Sequence, residues 1–272
     1  MKPLLELYAI IFGRPIFLPI HRLLHSLALR GMGVLNHNNL DVSGEHYLLK
    51  KLAKMRPEVG TVIDVGANEG EYSDAVSEIL KPGRIIAIEA HPKTAARLKV
   101  RAKNFKSTTQ IIECAISDIG DQSIQLFDHD EHGSSHATTV KNALEETNSE
   151  KKVGHTVYTN TLDSLATELG IARIDLLKID IEGAELAALK GARELLTGGR
   201  IDVIQFEFNS MNIDARAAFK DFYTLLDNYK LFRLLPRGLY RLDSYNPRLH
   251  EIYAFQNIIA LRTDSEIALL AG

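Results

Sequence analysis

The sequence predicts an α/β fold built on a mostly parallel sheet, and three observations carry that expectation. From residue 45 onward, short apolar runs of strand length alternate with segments of helical spacing. The first run, TVIDVGANEG at 61–70, carries Asp64 and opens into a turn bracketed by Gly66 and Gly70. The second, RIIAIEA, places Glu89 nineteen residues after Gly70. A strand, a glycine turn, a helix and a second strand ending in an acid are the parts of a nucleoside-binding βαβ unit.

The elements follow in order. EHYLLKKLAKM (45–55) has helical spacing in Leu48, Leu49, Leu52 and Met55, with Ser43 as the expected N-cap. TVIDVG is the first strand, and EYSDAVSEIL a helix ended by Pro82-Gly83. RIIAIEA is the second strand, HPKTAARLKVRAKNF the next helix, and TQIIECAIS the third strand. IDLLKIDIE (174–182) and IDVIQFEF (201–208) are the fourth and fifth, separated by GAELAALKGARELL, a helix ended by Gly198-Gly199. DARAAFKDFYTLLDNY reads as a helix with Phe219, Phe222, Leu225 and Leu226 on one face. LFRLL, LYRLD and NIIALR follow as strands with little helix between them, so the end of the sheet should hold an antiparallel pair.

Two segments fit no element. FDHDEHGSSHATTVK (127–141) is polar and rich in histidine, and NALEETNSEKK (142–152) is charged. They form an insertion, at about 127–160, whose length suits either a functional loop or disorder. His129, His132 and His136 with Asp128 and Asp130 have a metal-like composition but no ordered helical spacing, so no metal is assigned. His155 is a candidate to approach a reacting oxygen.

The domain division expected is a helical appendage at 1–44 and one large domain at 45–272. Residues 1–31 are apolar, carry Lys2, Arg14, Arg22 and Arg30 against Glu6, and are interrupted by Pro15 and Pro19. They suit short helices packed on the domain or on a second copy, or a basic amphipathic segment resting on a membrane surface. Across 272 residues the net charge is −3, and no basic run suggests nucleic acid as a partner. The single cysteine, Cys114, suits a reducing, cytoplasmic compartment and reads as a small core residue.

The glycine turn narrows the ligand. In a dinucleotide enzyme the middle position of the turn is usually glycine, but here it is Asn68, which leaves less room for two phosphates. A smaller anion, such as an amino-acid carboxylate, still fits. Asp64 is placed to engage an ammonium, directly or through water, and Glu89 to accept both ribose hydroxyls. An amino-acid end, a ribose and a base describe S-adenosylmethionine. At the end of the fourth strand, alternation would send Asp180 and Glu182 to one side and Ile181 to the other. Such a pair can complement a sulfonium or take a proton from a nucleophile. Glu207, ending the fifth strand, is a further candidate.

LKIDIEGAELAALKGA, together with VIDVGANEGEYS, IEAHP and TLDSL at 161–165, resembles the FkbM family of S-adenosylmethionine-dependent methyltransferases. The resemblance spans roughly residues 45–262. It implies a Rossmann-like class I methyltransferase fold with a seven-stranded sheet and an antiparallel last strand. It also implies O-methylation of a hydroxyl, commonly on a sugar or related small molecule. Carried over residue by residue, it implies a donor site at Asp64, Gly66, Ala67, Asn68, Gly70, Tyr72 and Glu89, with Ala115 and Ile116 contacting adenine. Asp180, Glu182 and Glu207 stand as the catalytic candidates. A nicotinamide-dependent oxidoreductase and a non-catalytic binding module remain the rival readings.

Overall fold

The computed structural model describes residues 2–128 and 153–264. Two helices, α1 (Lys2–Phe12) and α2 (Leu18–Gly31), precede α3 (Glu45–Met55). The first βαβ unit is β1 (Thr61–Val65), α4 (Glu71–Ile79) and β2 (Arg84–Ile88), followed by α5 (Pro92–Arg101) and β3 (Thr109–Ile112). Next come β4 (Ala115–Ile116), β5 (Ser123–Asp128) and β6 (Val153–Asn160), then α6 (Leu162–Glu168) and β7 (Ile174–Ile179). After α7 (Glu185–Lys190) and α8 (Arg193–Thr197) the chain forms β8 (Ile201–Phe208). The remaining elements are α9 (Met211–Asp214), α10 (Phe219–Leu225), β9 (Tyr229–Leu235), β10 (Gly238–Arg241), α11 (Pro247–His250) and β11 (Gln256–Arg262).

Among the described residues the main sheet has eight strands, in the order β10-β9-β11-β8-β7-β1-β2-β3. β1 pairs in parallel with both β2 and β7, and β7 pairs in parallel with β8. β11 inserts antiparallel between β8 and β9. The expected antiparallel last strand is therefore present. The eighth strand is β10, a short antiparallel partner that the hairpin from β9 adds at the edge. Strands β1, β2 and β3 run out to one side and β7 returns on the other, so β1 and β7 flank a topological switch point, where α/β sheets bind ligands.

Both faces of the sheet are covered, which is why its central strands read as nearly continuous apolar runs. Ile63, Val65, Leu177 and Ile179 pack on one face, and Val62, Leu176 and Val203 on the other.

Several local expectations change. Gly44, with φ +88°, occupies the N-cap of α3; Ser43 instead donates its hydroxyl to Glu45 Oε2 at 2.7 Å. The run TQIIECAIS is split. β3 joins the main sheet, while β4 leaves it to pair with β6, in a second sheet ordered β4-β6-β5. The helix expected between the fourth and fifth strands breaks at Gly191-Ala192 into α7 and α8. The helix expected from Asp214 starts only at Phe219.

The insertion expected at 127–160 begins and ends in strand: β5 and β6 pair antiparallel, from Ser123 opposite Tyr158 to Asp128 opposite Val153. His129, Asp130, His132 and His136 lie outside the described residues. At the other end of the chain, the boundary expected at 44 falls in a segment that already packs on the body. Val34 bridges to Gln256, and Leu35 N donates to Phe255 O at 2.8 Å.

Candidate active site

The turn after β1 is built by close backbone approach. Gly66 has φ +79°, and a Cβ there would lie 1.8 Å from the Asp180 carbonyl oxygen. The residue thus lets the β1 and β7 ends meet, with Asp180 N donating to Val65 O at 2.9 Å. Its missing side chain makes room for protein backbone, where the sequence suggested room for ligand. Gly70, with φ +84°, packs on Leu98 of α5, as tight helix packing requires.

This junction floors a cleft of about 620 Å³ lined by Gly66, Asn68, Glu89, Ala115, Ile116 and Asp180, with Ile181 and Glu182 beside them. Glu89 is locked in place. Its Oε2 accepts from Asn68 N at 2.9 Å and its Oε1 from His91 N at 2.8 Å. Burial pushes its carboxyl above the usual range, against these two backbone donors. The small sheet closes the far wall through Ala115, Ile116 and Leu126. Cys114 also lines the cleft. Burial raises its thiol to about 11, so it is a neutral wall rather than a nucleophile.

Asp64, Ala67, Gly70 and Tyr72 do not line this cleft. Asp64 is fully buried beneath it, and its Oδ2 accepts from Ser73 Oγ at 2.7 Å. Burial raises its carboxyl, while Lys178 opposes that shift. Tyr72 is buried too, and donates its hydroxyl to Gln205 Oε1 at 3.1 Å. These residues support the cleft from below.

The 180–185 segment is not strand. β7 ends at Ile179, Glu182 takes φ +49° and Gly183 φ +99°. A turn does not alternate its side chains between two faces, so Asp180, Ile181 and Glu182 all reach the cleft. Glu185 holds this turn from inside the fold. Its Oε1 accepts from Ile181 N at 3.0 Å, and its Oε2 from Gly183 N at 3.0 Å and Asn212 Nδ2 at 3.3 Å. Burial raises its carboxyl to about 7.

A second cavity, of about 540 Å³, opens on the other side of Asp180. Its walls are Glu207, Glu45 and Glu71, the segment from His37 to Leu40, Phe255 and Asn257. Glu207 accepts from Asn209 Nδ2, and the same Asn209 amide donates to Glu182 Oε2 at 3.2 Å. Burial, then Asp180, Glu182 and Glu185, push the Glu207 carboxyl well above the ordinary range. His155 lines neither cavity; its ring lies 4.5 Å from that of His91, centroid to centroid.

Three groups of residues went unnoticed in the sequence. Lys178, buried in β7, pairs with Asp180 Oδ2 at 2.8 Å. Burial alone would lower its ammonium, but Asp180, Asp64 and Glu45 raise it above its ordinary value. Its signal was a lone lysine inside the apolar run LLKI. Asn209, which joins two carboxylates, had no signal. The segment 37–44 was assigned to an appendage, yet it contributes to the wall of the second cavity.

The residues present fit S-adenosylmethionine. Glu89 is fixed with lone pairs to spare for vicinal hydroxyls, and Ala115 and Ile116 offer a small apolar wall for a base. Asp180 and Glu182 supply negative charge toward a cation.

Comparison with known proteins agrees. The model of the Methyltransferase FkbM domain matches residues 64–234. The chain is 25% identical over 189 residues to the 2-O-methyltransferase NoeI of Sinorhizobium fredii, covering 65% of this chain and 75% of that protein. Among solved structures it is similar to the methyltransferase FkbM of Methylobacillus flagellatus, with 16% identity and a TM-score of 0.45. That match covers 74% of this chain and 43% of the other, so the chain spans less than half of that relative. It is also similar to cofactor-bound Rv0187 from MTB, with 13% identity and a TM-score of 0.47 over 96% and 95% of the two chains. The match over most of the domain sets aside the oxidoreductase alternative: the chain belongs to the FkbM family of S-adenosylmethionine-dependent methyltransferases.

Proposed function

We propose that the chain O-methylates a hydroxyl of a sugar or related polyol held in the second cavity. The observation that carries this reading is that Asp180 stands in the wall of both cavities, so a donor in one and an acceptor in the other meet at its carboxylate. The acceptor side is rich in hydrogen-bonding groups. Glu45, Glu71, Glu207 and Asn257 can each accept from a hydroxyl, and Phe255, packed edge-on against His37 at 5.5 Å, offers an apolar face. Among the described residues no lysine or arginine lines it, which suits an uncharged acceptor better than an anionic one. The relative's description as a 2-O-methyltransferase supports oxygen as the atom methylated.

The bound donor supplies a methyl carbon activated by its sulfonium. The residues of this chain do the rest. Glu89 holds the ribose, and the backbone of Asn68, Ala115 and Ile116 lines the nucleoside. Asp180, fixed by Lys178, orients the acceptor hydroxyl. Glu207 receives the hydroxyl's proton. Its desolvated carboxylate is more basic than an exposed one, and it must be ionised to act. Glu182 shapes the donor side, tied to Glu207 through Asn209.

The test is transfer from labelled donor to a panel of neutral, amino- and acidic sugars, read by mass spectrometry. Methylation of neutral or amino sugars, with acidic ones spared, is expected. Donor binding without transfer to any sugar would sink the acceptor assignment. Asp180→Asn should lower turnover more than donor affinity; equal losses would refute its role on the acceptor.

A further inference from the structure

We infer that helices α1 and α2 dock this chain on an anionic membrane surface. They lie outside residues 64–234, which the family model matches. Their apolar side chains stand in solvent: Leu4 is 68% exposed, Ile10 73%, Ile16 78% and Leu23 59%. In α2 only Leu29, next to the body, is buried.

The exposed apolar surface of α1 is broad. Leu4, Leu5, Leu7, Tyr8, Ile10 and Ile11 are exposed over an arc of roughly 220° about its axis, and the exposed Glu6 falls in the remaining sector. A groove on a protein partner covers one stripe of a helix. An apolar arc wider than such a stripe, closed by a charged sector, suits a helix lying half-embedded in a membrane interface.

The geometry favours lying in the interface over crossing it. The two helices meet at a 94° bend, and no single described helix is long and apolar enough to span a bilayer. Eleven and fourteen residues reach only about 16 and 21 Å, against a hydrocarbon core of about 30 Å. The bend is packed. Tyr8 and Phe12 rings lie 4.9 Å apart, Phe12 and Phe17 5.3 Å, and His21 Nε2 meets Phe12 O at 3.0 Å.

Charge selects the occupant. Residues 1–31 hold Lys2, Arg14, Arg22 and Arg30 against one acid, Glu6, although the whole chain is net negative. Arg14 and Arg22 are exposed, flanking the apolar positions on either side of the bend. Basic residues beside embedded apolar ones are the pattern that binds anionic headgroups. The chain then runs from Gly31 into His37–Leu40, the rim of the second cavity, so docking would bring that rim close to the lipid surface.

The test is flotation of the full chain with vesicles of phosphatidylcholine alone or mixed with phosphatidylglycerol, read as the bound fraction. This readout is independent of turnover, so it stands or falls apart from the acceptor assignment. Binding to the mixed vesicles is expected, weakening as salt rises. Arg14→Glu with Arg22→Glu should lower it about tenfold or more. Leu4→Ser, Ile10→Ser, Leu23→Ser and Leu27→Ser together should abolish it. Unchanged S-adenosylhomocysteine binding would show that both variants fold. Failure of the full chain to float with either vesicle would overturn the inference. So would a dimer, seen by sedimentation, that the serine variant dissolves while vesicle binding is absent.

Discussion

Gly66→Ala probes the junction on which both cavities depend. The added Cβ would sit 1.8 Å from Asp180 O, 2.8 Å from the same carbonyl carbon and 2.9 Å from Ile181 Cγ2. Ordinary contact begins near 3.4 Å, so the β1 turn and the β7 end must separate by roughly 1.5 Å. That separation strains the bond from Asp180 N to Val65 O, worth about 1 kcal/mol. The left-handed φ of +79° adds about 1–2 kcal/mol for alanine. Forced repacking adds about 1–3 kcal/mol. The total, roughly 3–6 kcal/mol, corresponds to a melting temperature lower by about 6–20 °C for a chain of this size. Thermal denaturation gives the first number, and calorimetric titration with S-adenosylhomocysteine shows whether the cleft survives. Gly70→Ala is the control. It shares the positive φ, but its nearest neighbour is the movable end of Leu98, so it should cost clearly less. Gly66→Ala melting like wild type, or Gly70→Ala proving the more damaging, would refute the account of this turn.

Lys178→Met leaves Asp180, Asp64 and Glu45 without their buried cation, and should cost about 3–5 kcal/mol in urea denaturation, less at acid pH where the carboxylates neutralise. Glu89→Ala should weaken S-adenosylhomocysteine binding by about 1–3 kcal/mol in calorimetry, with acceptor KM unmoved. Glu185 makes stability depend on pH. Its ordinary value is 4.5 and its folded value about 7, so between these the folded state keeps a proton that the unfolded chain has released. Its contribution is fully present below 4.5 and lost as pH rises through 7, a swing of about 3 kcal/mol. Denaturation of Glu185→Gln across that window should show a flatter curve than wild type.

The parallel strands were legible because a strand covered on both faces must be apolar along its length, as VIDV, IIAI and LLKI are. The same property hid the division of TQIIECAIS, since a continuous apolar run does not say which sheet takes each half. The donor cleft was half legible. Glycines and a strand-end acid pointed to Gly66, Asn68 and Glu89, and all three line it. Asp64 and Tyr72 belong to its foundations, and sequence spacing cannot separate a residue facing a ligand from one buried a layer below. Strand periodicity misled at Asp180–Glu182, because a positive φ at a glutamate leaves little trace in sequence beyond the glycine that follows. The second cavity's wall at 37–44 was missed for a different reason. It lies far along the chain from the sheet ends it meets, and contacts of that range have no local pattern.

The surplus of carboxylates leads to a last prediction. Glu45, Asp64, Glu89, Glu185 and Glu207 are all raised, and burial is the largest cause for each. Among the described residues, Lys178 is the one buried ammonium beside them. Glu185, at about 7, is therefore partly protonated near neutral pH. A sulfonium entering beside Asp180 and Glu182 favours the ionised form of every nearby carboxyl, so binding should expel protons. S-adenosylhomocysteine has a neutral sulfur in the same position and lacks that effect. Calorimetric titration of each ligand, in buffers of different ionisation enthalpy near pH 7, reads the protons released. Release with S-adenosylmethionine should exceed release with S-adenosylhomocysteine, and only the methyl donor's affinity should rise clearly with pH. Equal proton counts would mean that the carboxylates do not sense the methyl donor's charge. Their elevation would then serve the architecture of the turn alone.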